Sequence, residues 1–128
     1  NLLEKVTMFY YLDFINFDTS YLQENDFIYI DPPYLITCAT YNENGAWSIK
    51  DEMYLLDFID FINSKNIRFA LSNVLYSKGK KNDILENWIN KNKYQTNYLT
   101  YNYSNSNWQT KDRTHSTQEV LITNYHIN

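Results

Sequence analysis

The stretch Phe27-Ile28-Tyr29-Ile30-Asp31-Pro32-Pro33-Tyr34 constrains the fold more than any other part of the chain. Its first four residues are aromatic or β-branched, a run that is typical of a strand buried on both faces. The strand must stop at the two prolines, because proline cannot donate to a sheet ladder. An acid and a tyrosine therefore flank a stiff turn at the carboxyl end of a strand that we predict to be parallel. Ligands bind at this end of the strands in open α/β sheets.

The residues that follow predict a βαβ unit. After a long loop over residues 32–47, Ser48 with Asp51 three positions on indicates a capping box that opens a helix, which we expect to run to about Lys65. One apolar helix face is predicted from the spacing of Ile49, Met53, Leu56, Ile59 and Ile62. Residues 67–71 predict the next strand, which Ser72-Asn73 would close. A strand, a long helix and a strand favour parallel pairing with a right-handed crossover.

Elements at both ends complete the prediction. Residues 6–11 form an apolar run that predicts an earlier strand, and residues 76–81 predict a basic loop. A helix is expected over 83–92, and two strands over 94–101 and 118–123. No helix separates these last strands, so we expect an antiparallel hairpin. The predicted fold class is α/β, with parallel strands and a C-terminal antiparallel hairpin.

Composition narrows the class of protein. The 128 residues carry a net charge of −4, which does not indicate a nucleic-acid binder but is compatible with a local basic patch. The single Cys38 excludes an internal disulfide framework and a cysteine-rich zinc site, and we expect no metal. No apolar run could span a bilayer and no signal peptide is visible, so we expect a cytoplasmic protein without a membrane partner. The opening Leu2-Leu3-Glu4-Lys5 is typical of a last helical turn, and we expect the chain to begin within a longer protein.

The proline motif offers groups that suit one kind of reaction. The Asp31 carboxylate and the Pro32 carbonyl would form two adjacent acceptors on a rigid frame. Two acceptors match the two N–H bonds of an amino group, and holding both would aim the nitrogen lone pair at an electrophile. Asp31 would then act by orientation and electrostatics rather than as a strong base. Tyr34 offers a flat face on which a base could stack.

Asp31-Pro32-Pro33-Tyr34 behind an apolar strand resembles the catalytic motif of DNA adenine-N6 methyltransferases. Ser72-Asn73 after the next strand and Glu119-Val120-Leu121-Ile122-Thr123-Asn124-Tyr125 near the end are similar to the Dam-type enzymes, the D12 class. The spacing of these segments matches as well, so the resemblance covers most of the chain from the first strand onward.

The resemblance implies a Rossmann-like, S-adenosylmethionine-dependent methyltransferase sheet, of which this chain would be a part. S-adenosylmethionine would be the co-substrate and double-stranded DNA with a flipped adenine the substrate. Asp31, Pro32, Pro33 and Tyr34 would be the catalytic residues, and Asp13 and Phe14, with Asp31, would lie near the cofactor. The expected DNA contacts are Lys80, Lys81 and Arg113.

One part of the family pattern is not visible. The family carries a glycine-rich turn after its first strand, whereas the two glycines here, Gly45 and Gly79, follow no N-terminal strand. We therefore expect residues 1–128 to be the C-terminal catalytic part, with the cofactor turn and the target-recognition region in a missing N-terminal part of the same enzyme. Alone, this part is expected to be inactive and to bind S-adenosylmethionine poorly. Two alternatives stay open: cytosine-N4 methylation, and an inactive remnant that binds DNA or a partner chain.

Overall fold

A computed structural model describes residues 19–37, 47–99 and 116–127. A 3-10 turn at Thr19–Tyr21 leads into the secondary structure. The elements are β1 (Phe27–Ile30), α1 (Ile49–Ser64), β2 (Arg68–Ser77), β3 (Lys80–Lys81), α2 (Asp83–Asn92), β4 (Gln95–Leu99) and β5 (Thr117–Thr123). The strand predicted over residues 6–11 lies outside the described residues.

The described strands form one mixed sheet in the order β1-β2-β5-β4, with β3 paired to the far end of β2. β1 and β2 are parallel, in a register that runs from Phe27 opposite Arg68 to Ile30 opposite Leu71, which confirms the βαβ unit. β5 is antiparallel to both β2 and β4, which confirms the C-terminal hairpin. The predicted α/β class, with parallel strands and an antiparallel hairpin, is confirmed.

β2 is longer than predicted. It continues through Ser72 and Asn73 to Ser77, because β5 pairs with it where β1 has already ended. The basic loop predicted over residues 76–81 is instead a tight hairpin to β3, whose two turn residues are Lys78 (φ 53°) and Gly79 (φ 79°). Positive φ at both central residues matches the twist of the flanking strands, and a two-residue hairpin loop favours it.

α1 begins with the predicted capping box. Ser48 Oγ accepts from the Asp51 backbone N–H at 3.1 Å, and Asp51 Oδ2 accepts from the Ser48 N–H at 2.9 Å. The predicted apolar face was partly wrong, since Ile49 and Met53 are exposed. The buried stripe is Glu52, Leu55, Leu56, Ile59 and Ile62. The helix is rotated from the expected orientation because hydrogen bonds allow a carboxylate to occupy its sheet side.

Both helices pack on one face of the sheet. Alternate strand residues on that face meet the buried side chains of α1 and α2, and the core contains Ile28, Leu55, Ile59, Phe69, Leu71, Leu85, Trp88, Val120 and Ile122. Trp47 and Trp88 are buried packing residues. The prediction that β1 is buried on both faces was wrong, because Phe27 is 52% and Tyr29 55% exposed on the face away from these helices. No helix in the described ranges is long and apolar enough to cross a membrane.

Candidate active site

The proline motif leaves the sheet at the carboxyl end of β1. Ile30 is the last residue of β1 to pair with β2, so the exposed Asp31 stands at the sheet edge. Pro32 is buried, which seats the turn against the fold, while Tyr34 is half-buried. The Tyr34 hydroxyl donates to Asp31 Oδ1 at 3.2 Å. The structure therefore brings the predicted acid and the predicted stacking ring into direct contact.

A second turn holds the Tyr34 backbone. The Thr37 N–H and the Thr37 hydroxyl both donate to the Tyr34 carbonyl at 3.0 Å. Leu35 is buried in the core, directly after Tyr34. The ring and hydroxyl of Tyr34 consequently project from a backbone that is anchored on both sides, which favours a defined geometry beside Asp31.

Burial is the largest cause that raises the pKa of Tyr34 well above its ordinary value, and the Asp31 carboxylate adds to it by charge and by the hydrogen bond. Glu119 on β5 and Tyr29 on β1 raise the pKa further. The phenol therefore stays protonated and remains a hydrogen-bond donor at neutral pH. A carboxylate has about four lone-pair sites, so Asp31 retains acceptors for another donor.

The side chains of Tyr29 and Ser72 connect β1 to β2. The Tyr29 hydroxyl and Ser72 Oγ share a hydrogen bond of 2.8 Å across β1 and β2. In the register of the sheet, Ser72 and Glu119 lie on the face that carries Tyr29. The prediction that Ser72 closes the strand was wrong, since Ser72 lies in the middle of β2. Sequence reasoning gave Glu119 no site role, and only the pairing of β2 with β5 brings it near Tyr34.

Glu52 is another residue that sequence reasoning missed. It is fully buried in the first turn of α1, where Trp47 Nε1 donates to Oε1 at 3.1 Å and Asn82 Nδ2 donates to Oε2 at 2.7 Å. Burial raises the pKa of Glu52, and the hydrogen bonds partly oppose that rise. A signal was available in the sequence, since Glu52 lies three and four positions before Leu55 and Leu56 on one helix face.

The other predicted site residues are scattered. Lys80 and Lys81 are exposed on β3, and Lys81 pairs with Glu86 at 2.8 Å, which raises the pKa of Lys81. Asp13, Phe14 and Arg113 lie outside the described residues. Within the described ranges, no group of three His, Cys, Asp or Glu side chains is placed to bind a metal ion.

The tail that shares the family pattern divides into two roles. Glu119 lies near Tyr34, whereas Asn124 lies where β2 begins, at the opposite end of the strands. Asn124 Oδ1 accepts from the Phe69 N–H at 3.0 Å, and its Nδ2 donates to the Ile67 carbonyl at 2.9 Å. A polar cleft at that end of the sheet contains no residue of the proline motif and is lined by Asn63, Asn92, Lys93, Tyr94, Gln95, Asn124, Tyr125 and His126. Asn124 is therefore a structural residue of the fold.

Comparison with known proteins identifies the family. The family model of D12 class N6 adenine-specific DNA methyltransferases matches residues 3–119. Modification methylase StsI of Streptococcus sanguinis is 47% identical over 98% of this chain, and Type II methyltransferase M.FokI of Planomicrobium okeanokoites is 44% identical over 95%. Modification methylase LlaI of Lactococcus lactis subsp. lactis is 33% identical over 87%. The matched segments are 20%, 19% and 17% of those relatives, so the chain spans about a fifth of their length or less.

Proposed function

The chain belongs to the D12 class of N6 adenine-specific DNA methyltransferases, and we propose on that premise that it is the catalytic part of an enzyme that methylates adenine N6 in DNA. The observation that carries the proposal is the pairing of Asp31 with Tyr34 at the carboxyl end of β1. The same edge is where ligands bind in α/β sheets. Two of the three relatives are modification methylases by name, which supports a role beside a restriction enzyme.

In the proposed reaction, Asp31 and the Pro32 carbonyl accept the two N–H bonds of the adenine amino group. This orients the nitrogen lone pair, and the carboxylate stabilises the positive charge that develops on N6. S-adenosylmethionine would supply the methyl group, with the N–C bond forming as the C–S bond breaks, and Asp31 or water would then accept one N6 proton. Tyr34 stacks on the flipped base while its hydroxyl keeps the Asp31 carboxylate in place.

Other residues have supporting roles in this proposal. Asp13 and Phe14 would contact the adenine of S-adenosylmethionine, while Lys80 and Arg113 would contact DNA phosphates. Lys81 would contribute less, because Glu86 already holds it. The cofactor turn and the segment that recognises the target sequence would come from the remainder of the enzyme.

The test uses the complete enzyme and DNA that lacks methylated bases, with the modified nucleosides identified by mass spectrometry. N6-methyladenine is the expected product. Asp31→Ala should lower the rate by about 10²-fold or more, as expected when a preorganised polar contact to the reacting group is lost. Asp57→Ala, on the exposed side of α1, is the matched control and should keep full activity. N4-methylcytosine as the product would overturn the adenine assignment, and no product at all would favour an inactive remnant.

A further inference from the structure

Glu52 is a buried carboxylate without a cation. Its exposed fraction is 0%, and within residues 19–37, 47–99 and 116–127 no lysine, arginine or histidine pairs with it. Its hydrogen bonds come from two neutral donors, the Trp47 indole and the Asn82 amide. A carboxylate in such a place costs free energy that an apolar side chain of similar size would avoid. Core packing alone therefore gives no reason for an acid at this position.

A third donor faces the same carboxylate. Asn73 on β2 is fully buried, and its Oδ1 accepts from the Val74 N–H at 2.7 Å. Its amide lies near enough to lower the pKa of Glu52, but Nδ2 makes no hydrogen bond within the described part of the chain. Buried polar groups are rarely left without a partner, and one that is left so needs an explanation.

These four residues, Trp47, Glu52, Asn73 and Asn82, form a polar junction beneath the carboxyl edge of the sheet. Asn73 lies two residues beyond Leu71, where the pairing of β1 with β2 ends and the motif leaves. Asn82 is the N-cap of α2, since its Oδ1 accepts from the Leu85 N–H at 3.0 Å. The junction thus joins α1, β2 and α2 at the point where the proline motif departs.

The junction also holds Trp47, which lies just before the Ser48 cap of α1. Trp47 belongs to the same hydrophobic core as Leu35, the residue next to Tyr34. Because a close-packed core transmits displacements, a shift of Trp47 would disturb the packing of Leu35 and with it the backbone that presents Tyr34 to Asp31.

We propose that Glu52 is a positioning residue for methyl transfer, which acts by fixing Trp47 against β2 and α2 and, through the core that Trp47 shares with Leu35, the backbone next to Tyr34. The proposal deepens the proposed function and rests on it. A carboxylate is required because the indole N–H cannot be reversed, and the Asn82 amide cannot flip without losing its bond from the Leu85 N–H. Both donors need acceptors, and glutamine at this position would offer only one.

The test compares the complete enzyme with Glu52→Gln, Trp47→Phe and the double variant, all at a temperature well below the lowest unfolding midpoint. Asp57→Asn is the control, because it removes an exposed carboxylate from the same helix. Glu52→Gln and Trp47→Phe should each lower kcat by about tenfold or more, as expected for a small misplacement of reacting groups. The KM for S-adenosylmethionine should stay within about twofold, since none of the four junction residues is among those proposed to contact it.

The double variant separates positioning from stability. Trp47→Phe removes the donor that conflicts with the glutamine amide, so the double variant should be more stable than the sum of the single effects predicts. Its kcat should nevertheless stay low, because Trp47 is no longer held. Wild-type kcat in the folded single variants, or recovery of kcat together with stability, would overturn the proposal.

Amide hydrogen exchange, followed in the peptide that covers residues 31–37, reports how firmly the proline motif is held and does not require methyl transfer. The Thr37 N–H, which donates to the Tyr34 carbonyl, should exchange faster in Glu52→Gln than in the wild type or in Asp57→Asn. Wild-type enzyme that forms no methylated base, with altered exchange in Glu52→Gln, would refute the proposed function but leave the positioning of the motif intact. Active wild-type enzyme with unchanged exchange and kcat in the variant would refute the role of Glu52.

Discussion

The Tyr34 hydroxyl donates to Asp31 Oδ1 at 3.2 Å, so the last residue of the motif holds the first. The contact closes over the two prolines, of which Pro32 is buried. It places an aromatic ring beside a carboxylate that accepts no other hydrogen bond from residues 19–37, 47–99 or 116–127.

Tyr34→Phe and Tyr34→Ala should separate the two contributions of Tyr34 to methyl transfer. Phenylalanine keeps the ring and loses a hydrogen bond worth about 0.5–1.5 kcal/mol, so the rate should fall by about 2- to 10-fold. Alanine also loses base stacking, worth about 1–3 kcal/mol, so its rate should fall a further 5- to 150-fold or so. Steady-state methylation by the complete enzyme measures both. Equal losses in the two variants would show that the ring does not stack on the base.

The ionisation of Glu52 should make stability depend on pH. Burial raises its folded-state pKa above the ordinary value of 4.5. Its contribution to stability is therefore fully present below pH 4.5 and is lost as the pH rises through the folded-state value. Urea unfolding from pH 4.5 to 8 should show the wild type losing stability relative to Glu52→Gln as the pH rises. An advantage of the wild type that grows with pH would contradict this direction.

Lys80 and Lys81 should contribute unequally to DNA binding. Glu86 pairs with Lys81 at 2.8 Å, whereas Lys80 forms no ion pair with any residue that the structure describes. Lys80→Ala should reduce the slope of log K against log salt by about one unit if Lys80 contacts a phosphate, and Lys81→Ala should reduce it less. Titration of the complete enzyme with duplex DNA at several salt concentrations measures both slopes. Equal slopes in the wild type and Lys80→Ala would remove Lys80 from the interface.

Asn124→Ala should destabilise the fold without slowing the reaction. It removes the acceptor for the Phe69 N–H and a donor to the Ile67 carbonyl, and we expect a loss of about 1–3 kcal/mol. The kcat of the folded enzyme should not change, because Asn124 lies at the sheet edge away from Asp31. Thermal unfolding and steady-state rates give the two readouts, and the exposed Asn25→Ala is the control. A reduced kcat with normal stability would place Asn124 in the site instead.

Tyr94→Phe should weaken the dependence of stability on pH in alkaline solution. The Tyr94 hydroxyl donates to Asp60 Oδ1 at 2.9 Å, and burial, followed by this bond, raises the pKa of Tyr94. A raised folded-state pKa gives stability that is present below the ordinary value of about 10 and is lost as the pH rises through the folded-state value. Unfolding between pH 8 and 11 should therefore show a smaller decline in Tyr94→Phe than in the wild type. An unchanged decline would mean that Tyr94 is not the titrating group.

Several features of this protein were predictable from short stretches of sequence. The end of β1 at two prolines, the capping box at Ser48 and the bounds of α2 all depend on residues within one or two turns of each other. The hairpin was predictable because the sequence shows no helix between the last two strands. Asp31 and Tyr34 were identifiable as site residues for the same reason, because the stiffness of Pro32-Pro33 is a local property.

Only the tertiary structure decided which distant groups meet. β2 extends to Ser77 because β5, about forty residues later in the chain, supplies its hydrogen-bond partners. α1 turns Glu52 inward because Asn82, thirty residues away, donates to it. Phe27 and Tyr29 are exposed because both helices pack on the other face of the sheet. These outcomes depend on partners remote in sequence, and local preferences for strand or helix carry no information about them.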